Sequence, residues 1–123
     1  MNETLTKLFG PEWYDVRHET TNGIEWHMAW DISLLLGIKN VTNAIRGSKK
    51  SFNVDPQYRT MVQDEYYNKL RYVHLLTIDG VFQLIMNNKT PECKRIKEYI
   101  AAEVLAGNPD FNYRSNKAAY YEH

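Results

Sequence analysis

A single cysteine, Cys93, stands in the 123 residues. That count excludes an internal disulfide and any cysteine-rich zinc site. No run of about 18 apolar residues occurs, so no stretch reads as a membrane-spanning helix. No basic, apolar, then small-residue pattern opens the chain as a secretory signal would. The expectation from these absences is a soluble cytoplasmic protein with no membrane partner. Catalytic signatures are lacking too: there is no phosphate-binding glycine loop, no GxSxG and no HExxH. The four histidines (18, 27, 74, 123) are scattered. The acids Asp64 and Glu65 lie in a polar connection without a neighbour that would tune them. No catalytic residue, metal ligand set or cofactor is expected, and the chain does not read as an enzyme.

A net charge of either sign is also missing, since 15 cations face 15 acids. The distribution is uneven. Residues 1–38 hold two cations against six acids. Residues 39–71 hold seven cations (Lys39, Arg46, Lys49, Lys50, Arg59, Lys69, Arg71) against three acids (Asp55, Asp64, Glu65). A local positive patch steers anions even in a neutral molecule; the plainer reading is a solvated surface unevenly sampled. Three Trp, nine Tyr and four Phe argue for a folded chain rather than a disordered one. A chain of this length is most simply one domain, burying roughly two-thirds of the surface it exposes when unfolded.

In chain order, residues 3–8 can form a short helix, and Phe9-Gly10-Pro11 reads as a turn. Residues 13–20 are rich in strand formers. Asn22-Gly23 is a strong hairpin signal, because both residues tolerate positive φ. Residues 24–30 form the returning strand, with Ile24, Trp26, Met28 and Trp30 as its apolar side at period two. A two-residue turn sets His18 opposite His27. Without a third ligand, this reads as an exposed cross-strand pair rather than a metal site. Residues 58–63 and 70–76 form a second pair of strands, joined by polar residues 64–69. Thr77 can cap a helix over residues 78–86, and Thr90-Pro91-Glu92 opens another that runs to about Ala106 and stops at Gly107. Cys93, Ile96, Ile100 and Val104 share one face of it, which makes Cys93 a core residue.

The centre of the chain is residues 26–47. Here a strand ends at Trp30, Asp31 caps a short helix, Gly37 stops it, and Asn40 caps a second helix ending at Arg46-Gly47. Leu34, Leu35 and Leu36 are expected in the core. Two short helices joined by Gly37-Ile38-Lys39-Asn40 have the linker length of a helix-turn-helix. Val41, Ala44 and Ile45 make the inner face of the second helix; Thr42, Asn43 and Arg46 point elsewhere. That helix either only packs, with its polar residues solvated, or presents Asn43 and Arg46 to base edges or phosphates. At about 9 Å it is too short to read a major groove alone. The basic loop 47–51 and the second hairpin, whose Arg59, Lys69 and Arg71 interleave with Tyr58, Tyr66, Tyr67 and Tyr72, would have to share the work.

Residues 25–47 resemble the opening motif of the Bro-N family, the N-terminal domain of baculovirus BRO proteins and phage antirepressors: Trp26, Ala29, Asp31, Leu36, Gly37, Asn40 and Ala44 fit it. Residues 76–105 are similar to the second family block through Thr77, Gly80, Leu84, Ile85, Pro91, Lys97, Glu103, Val104 and Leu105. The chain departs from the family in having Tyr99 where a Trp is usual, and Ala106-Gly107-Asn108 where a Pro and basic residues follow. The effector domain of many antirepressors is not found in the 123 residues. The resemblance implies an α+β domain of small antiparallel hairpins packed with two short helices and two C-terminal helices, over residues 13–107. An N-terminal segment (1–12) and a C-terminal tail (108–123) flank it. It implies a phage- or virus-like DNA-binding regulator, cytoplasmic in a bacterial host if phage-derived. For such a regulator, the charge and helix pattern point to a surface of Lys39, Asn40, Thr42, Asn43, Arg46, Lys49 and Lys50, with Arg59, Lys69 and Arg71 as flanking phosphate contacts. Expected partners are double-stranded DNA, a host or phage regulatory protein, and a second copy of the chain. The alternative is a protein-interaction module that inhibits a repressor or other host protein, with the aromatic tail as its contact.

Overall fold

The computed structural model describes residues 3–47, 54–66 and 69–107. The expected positions Lys49 and Lys50 and the tail 108–123 lie outside the described residues. Four antiparallel strands form one sheet in the order β1-β2-β4-β3: β1 (His18–Thr21), β2 (Ile24–Met28), β3 (Arg59–Tyr66) and β4 (Lys69–Leu76). Five α-helices accompany them: α1 (Glu3–Phe9), α2 (Ala29–Leu36), α3 (Val41–Arg46), α4 (Ile78–Met86) and α5 (Pro91–Leu105). The α+β class expected from the sequence is the observed one.

Most helices start and stop where the chemistry of their ends requires. Asn40 caps α3, its side-chain oxygen accepting from the Asn43 N–H at 3.0 Å. Thr77 caps α4 by accepting from the Gly80 N–H at 3.2 Å. Gly37 ends α2 in the left-handed region, φ 67°. Thr90 has two tasks. Its Oγ1 accepts from the Cys93 N–H at 3.1 Å to cap α5, and its hydroxyl donates to the Leu36 carbonyl at 2.5 Å. The second bond ties the start of α5 to the end of α2, which joins the two sequence blocks across 54 residues.

The core is built from Leu5, Leu8, Phe9 and Trp13 at the N-terminus, Ile32 and Leu36 of α2, Val41 and Ile45 of α3, Leu76 of β4, and the inner faces of α4 and α5. Cys93 is buried there with Ile96 and Ile100, as the spacing predicts.

Four local expectations need correction. Of the strand formers at 13–20, residues 13–15 belong instead to a 3-10 helix, Gly10–Asp15, because Gly10 turns the chain at positive φ and Pro11 opens the new turn. The strand of residues 24–30 ends at Met28. Helix α2 therefore starts at Ala29, with Met28 at its cap and no side-chain cap bond, so Asp31 is not a cap. Leu34 is 65% exposed rather than buried. With the helix starting three residues earlier than an Asp31 cap would have it, its inner face falls on Ala29, Ile32, Ser33 and Leu36. Last, the buried residue of β2 is His27, not its apolar stripe. His27 packs on Trp13 with ring centroids 5.1 Å apart, and the 3-10 segment is what brings Trp13 beneath it. His18 does lie opposite His27 in register and is exposed, but its partner is not.

Candidate nucleic-acid interface

The proposed surface starts at α3. The capping bond of Asn40 sets the first turn, and burial of Val41 and Ile45 fixes the helix against α2. The opposite side then carries Asn43 and Arg46, both exposed, and half-exposed Thr42. Lys39 precedes the helix and is exposed.

The hairpin β3–β4 stands beside this helix. Arg46 reaches it, with Nη2 3.6 Å from the Met61 sulfur on β3. Thr42 and Arg71 line one cleft of about 110 Å³, together with Trp30, Val41, Tyr72, Val73 and His74. That cleft exists because β2 pairs with β4 only at His27↔Leu76 and Met28↔Leu75, then leaves the sheet for α2. The upper half of β4 is thereby left facing helices instead of a strand.

On the other side of α3 a wider groove is lined by Gly37, Ile38, Lys39, Asn40, Asn43, Ala44, Asn88 and Thr90. Its floor is fixed from below: Lys97 Nζ donates to the Asn88 carbonyl at 2.5 Å, and the Asn88 amide donates to the Leu84 carbonyl at 2.7 Å.

The expected residues thus divide. Lys39, Thr42, Asn43, Arg46 and Arg71 surround α3. Asn40 is held by its capping bond and is architectural. Arg59 donates from Nε to the Val54 carbonyl at 3.0 Å, so its side chain fastens the chain entering β3. Lys69 is the first residue of β4, opposite Tyr66 in the register.

Burial holds the His74 imidazole below its ordinary value, and the charges of Arg46 and Arg59 push it the same way. His74 is therefore neutral near pH 7 and reports on those two cations.

Trp30, expected on the apolar side of a strand, and Tyr72, expected beside the cations of the second hairpin, complete the cleft. Trp30 is 50% exposed and Tyr72 is 63% exposed. Gln63 Nε2 donates to the Tyr72 hydroxyl at 3.0 Å and orients that ring. Trp30 sat on a period-two stripe and read as a core residue; only the early helix start takes it out of the strand. Among the described residues, no group of three or more His, Cys, Asp or Glu could hold a metal ion. No helix among them is long and apolar enough to cross a membrane.

The model of the BRO family, N-terminal domain, matches residues 15–106. No curated protein and no solved structure matches the chain.

Proposed function

The chain belongs to the BRO family through its N-terminal domain, and on that footing we propose that it is a DNA-binding regulatory domain of the antirepressor kind. One observation carries the reading. Helix α3 and the hairpin β3–β4 share a single surface, on which Thr42 and Arg71 line one cleft and Arg46 meets Met61. A helix of six residues gains reach when a strand pair extends its surface. In this reading Lys39, Arg46 and Arg71 hold phosphates, and the Lys49 and Lys50 side chains add to them. Asn43, exposed at mid-helix, and Arg46 are the groups able to meet base edges. Binding of a mixed-sequence duplex by the wild type and by an Arg46→Ala/Arg71→Ala variant, measured across salt, tests it. Loss of salt-dependent binding in the variant supports the reading, and equal binding by both removes it.

A second reading, a module that inhibits a repressor or other host protein, has its own observation. Trp30 and Leu34 sit four apart on α2 and are both exposed, at 50% and 65%. Exposed aromatic and aliphatic neighbours on one helix face suit protein contact. A Trp30→Ala/Leu34→Ser variant that keeps DNA binding but loses an antirepressor effect in cells would favour it.

A further inference from the structure

The outer edge of β3 has a backbone pattern that can be worked out from one bond. The register pairs Arg59 with Leu76 and runs without a bulge to Tyr66 and Lys69. One step back, Tyr58 faces Thr77, and the Thr77 N–H donates to the Tyr58 carbonyl at 3.0 Å. Directly opposed residues that share such a bond form a hydrogen-bonded pair, and these alternate along an antiparallel ladder. Thr60, Val62 and Asp64 therefore bond inward to β4. Arg59, Met61, Gln63 and Glu65 turn their N–H and C=O groups outward. The other strands agree. The Met28 N–H bonds the Arg17 carbonyl, which sends the groups of His27 away from β1 to Leu76.

β3 is the last strand in the sheet order. Among the described residues no strand or backbone group pairs with its outer side. Eight residues of unbulged edge without proline form a template for another strand. The charge order of the strand identifies that strand. Its cation is at the first residue, Arg59, and its acids are at Asp64 and Glu65. A copy laid antiparallel brings the cationic end of one strand to the acidic end of the other, twice by symmetry.

We propose that β3 pairs antiparallel with β3 of a second copy, about a two-fold axis through Val62, to make one continuous sheet across a homodimer. Only one register satisfies three conditions together. Residues of the same bonding type must face each other; all four outward residues must be used; and charges must be opposed. That register sets Arg59 against the partner's Glu65, Met61 against the partner's Gln63, and Val62 against the partner's Val62. A shift of two residues either way leaves outward groups unpaired and separates the charges. The bond from Arg59 Nε to Val54 leaves its charge intact. The seam adjoins the DNA surface at Met61, which Arg46 reaches, but it uses none of the phosphate or base contacts of the DNA reading, so either can fail alone.

The full-length chain tests it in two ways. Sedimentation equilibrium of the wild type is expected to show a dimer; a monomer at every concentration overturns the proposal. Val62→Lys, which sets two like charges together at the axis, is expected to weaken the dimer at least tenfold; unchanged dimerisation overturns it. Should that variant fold poorly, cysteine cross-linking decides. Val62 faces its own copy as a non-hydrogen-bonded pair with Cα atoms about 4.5 Å apart, within disulfide range. Val62→Cys is expected to give a disulfide-linked dimer on mild oxidation, and Thr20→Cys, on the opposite edge strand, is expected to give none. Cross-linking at Thr20 and not at Val62 overturns the proposal. The native Cys93 is buried and does not interfere.

Discussion

The Asp31 carboxylate takes three bonds from Arg17. The Arg17 backbone N–H and Nε each donate to Oδ2 at 2.9 Å, and Nη2 donates to Oδ1 at 3.0 Å. A side chain that the sequence presents as a helix cap instead ties the first turn of α2 to the residue before β1. The carboxylate is 15% exposed and the guanidinium 52%. Burial raises the Asp31 pKa, but the side-chain and backbone bonds from Arg17 outweigh it and hold the group below its ordinary value. Asp31→Ala is expected to cost about 1–3 kcal/mol at pH 7, read by urea denaturation. Because the folded-state pKa is depressed, this contribution is present above the ordinary carboxylate range and is lost as pH falls through the lowered value. The variant should show less acid dependence there than the wild type.

His27 sets a second pH window. It is 2% exposed, and burial lowers its pKa to about 4 against an ordinary 6.5, opposed by Glu25 at 3.5 Å from Nε2. Among the described residues its Nδ1 has no hydrogen-bond partner. The neutral ring is the folded form. Its contribution is complete above about pH 6.5 and is lost as pH falls toward 4, a loss of about 2–3 kcal/mol. His27→Leu removes both the orphaned nitrogen and the titration. It is expected to be neutral or slightly stabilising at pH 7, and to flatten the pH dependence of the midpoint between pH 6.5 and 4.

Gly80 explains one residue of the second sequence block. A Cβ there would lie 2.6 Å from the Tyr58 carbonyl oxygen and 3.3 Å from the Leu76 Cβ. Alanine ordinarily favours a helix interior by about 1 kcal/mol. Here backbone meets backbone, so Gly80→Ala is expected to destabilise by roughly 1–3 kcal/mol, read as a lowered Tm. An unchanged or raised Tm would show that α4 can move away from Tyr58.

The fold was legible wherever local chemistry decides it. Asn22-Gly23 and Gly37 act through their own backbone, Asn40, Thr77 and Thr90 through a side-chain oxygen on an N–H three residues on, and each does what its residue type predicts. Where long-range packing decides, the sequence misled. Period two in residues 24–30 pointed to Trp26 and Met28 as the core side, yet Trp13 sits on the other face and draws His27 inward. The run Leu34-Leu35-Leu36 could not say which leucine faces in, since that depends on what the helix packs against, and its start lies three residues before the one an Asp31 cap implies. Of the candidate interface, the residues on α3 were legible from capping and charge. The sharing of one cleft by Thr42 and Arg71 was not, because it depends on where β2 leaves β4.

His74 offers a reading of the interface without mutation. Burial and the charges of Arg46 and Arg59 hold its pKa down. A phosphate at Arg46 would offset part of that field and raise the value. Duplex addition is expected to move the His74 imidazole titration, followed by NMR, toward higher pH. By linkage, affinity should then increase as pH falls from the raised value of the complex toward the lower value of the free protein. A titration that does not move would place the phosphates elsewhere.

The most direct test of the DNA reading is the salt dependence of duplex binding. Fluorescence anisotropy of a labelled mixed-sequence duplex, titrated between about 50 and 200 mM salt, should give a log–log slope near −3.6 for roughly four neutralised phosphates. In a Lys39→Ala/Arg46→Ala/Arg71→Ala variant of normal fold the slope should shrink by about 0.9 for each contact removed. Binding that ignores salt, or a variant with the wild-type slope and affinity, would contradict the assignment of this surface to DNA.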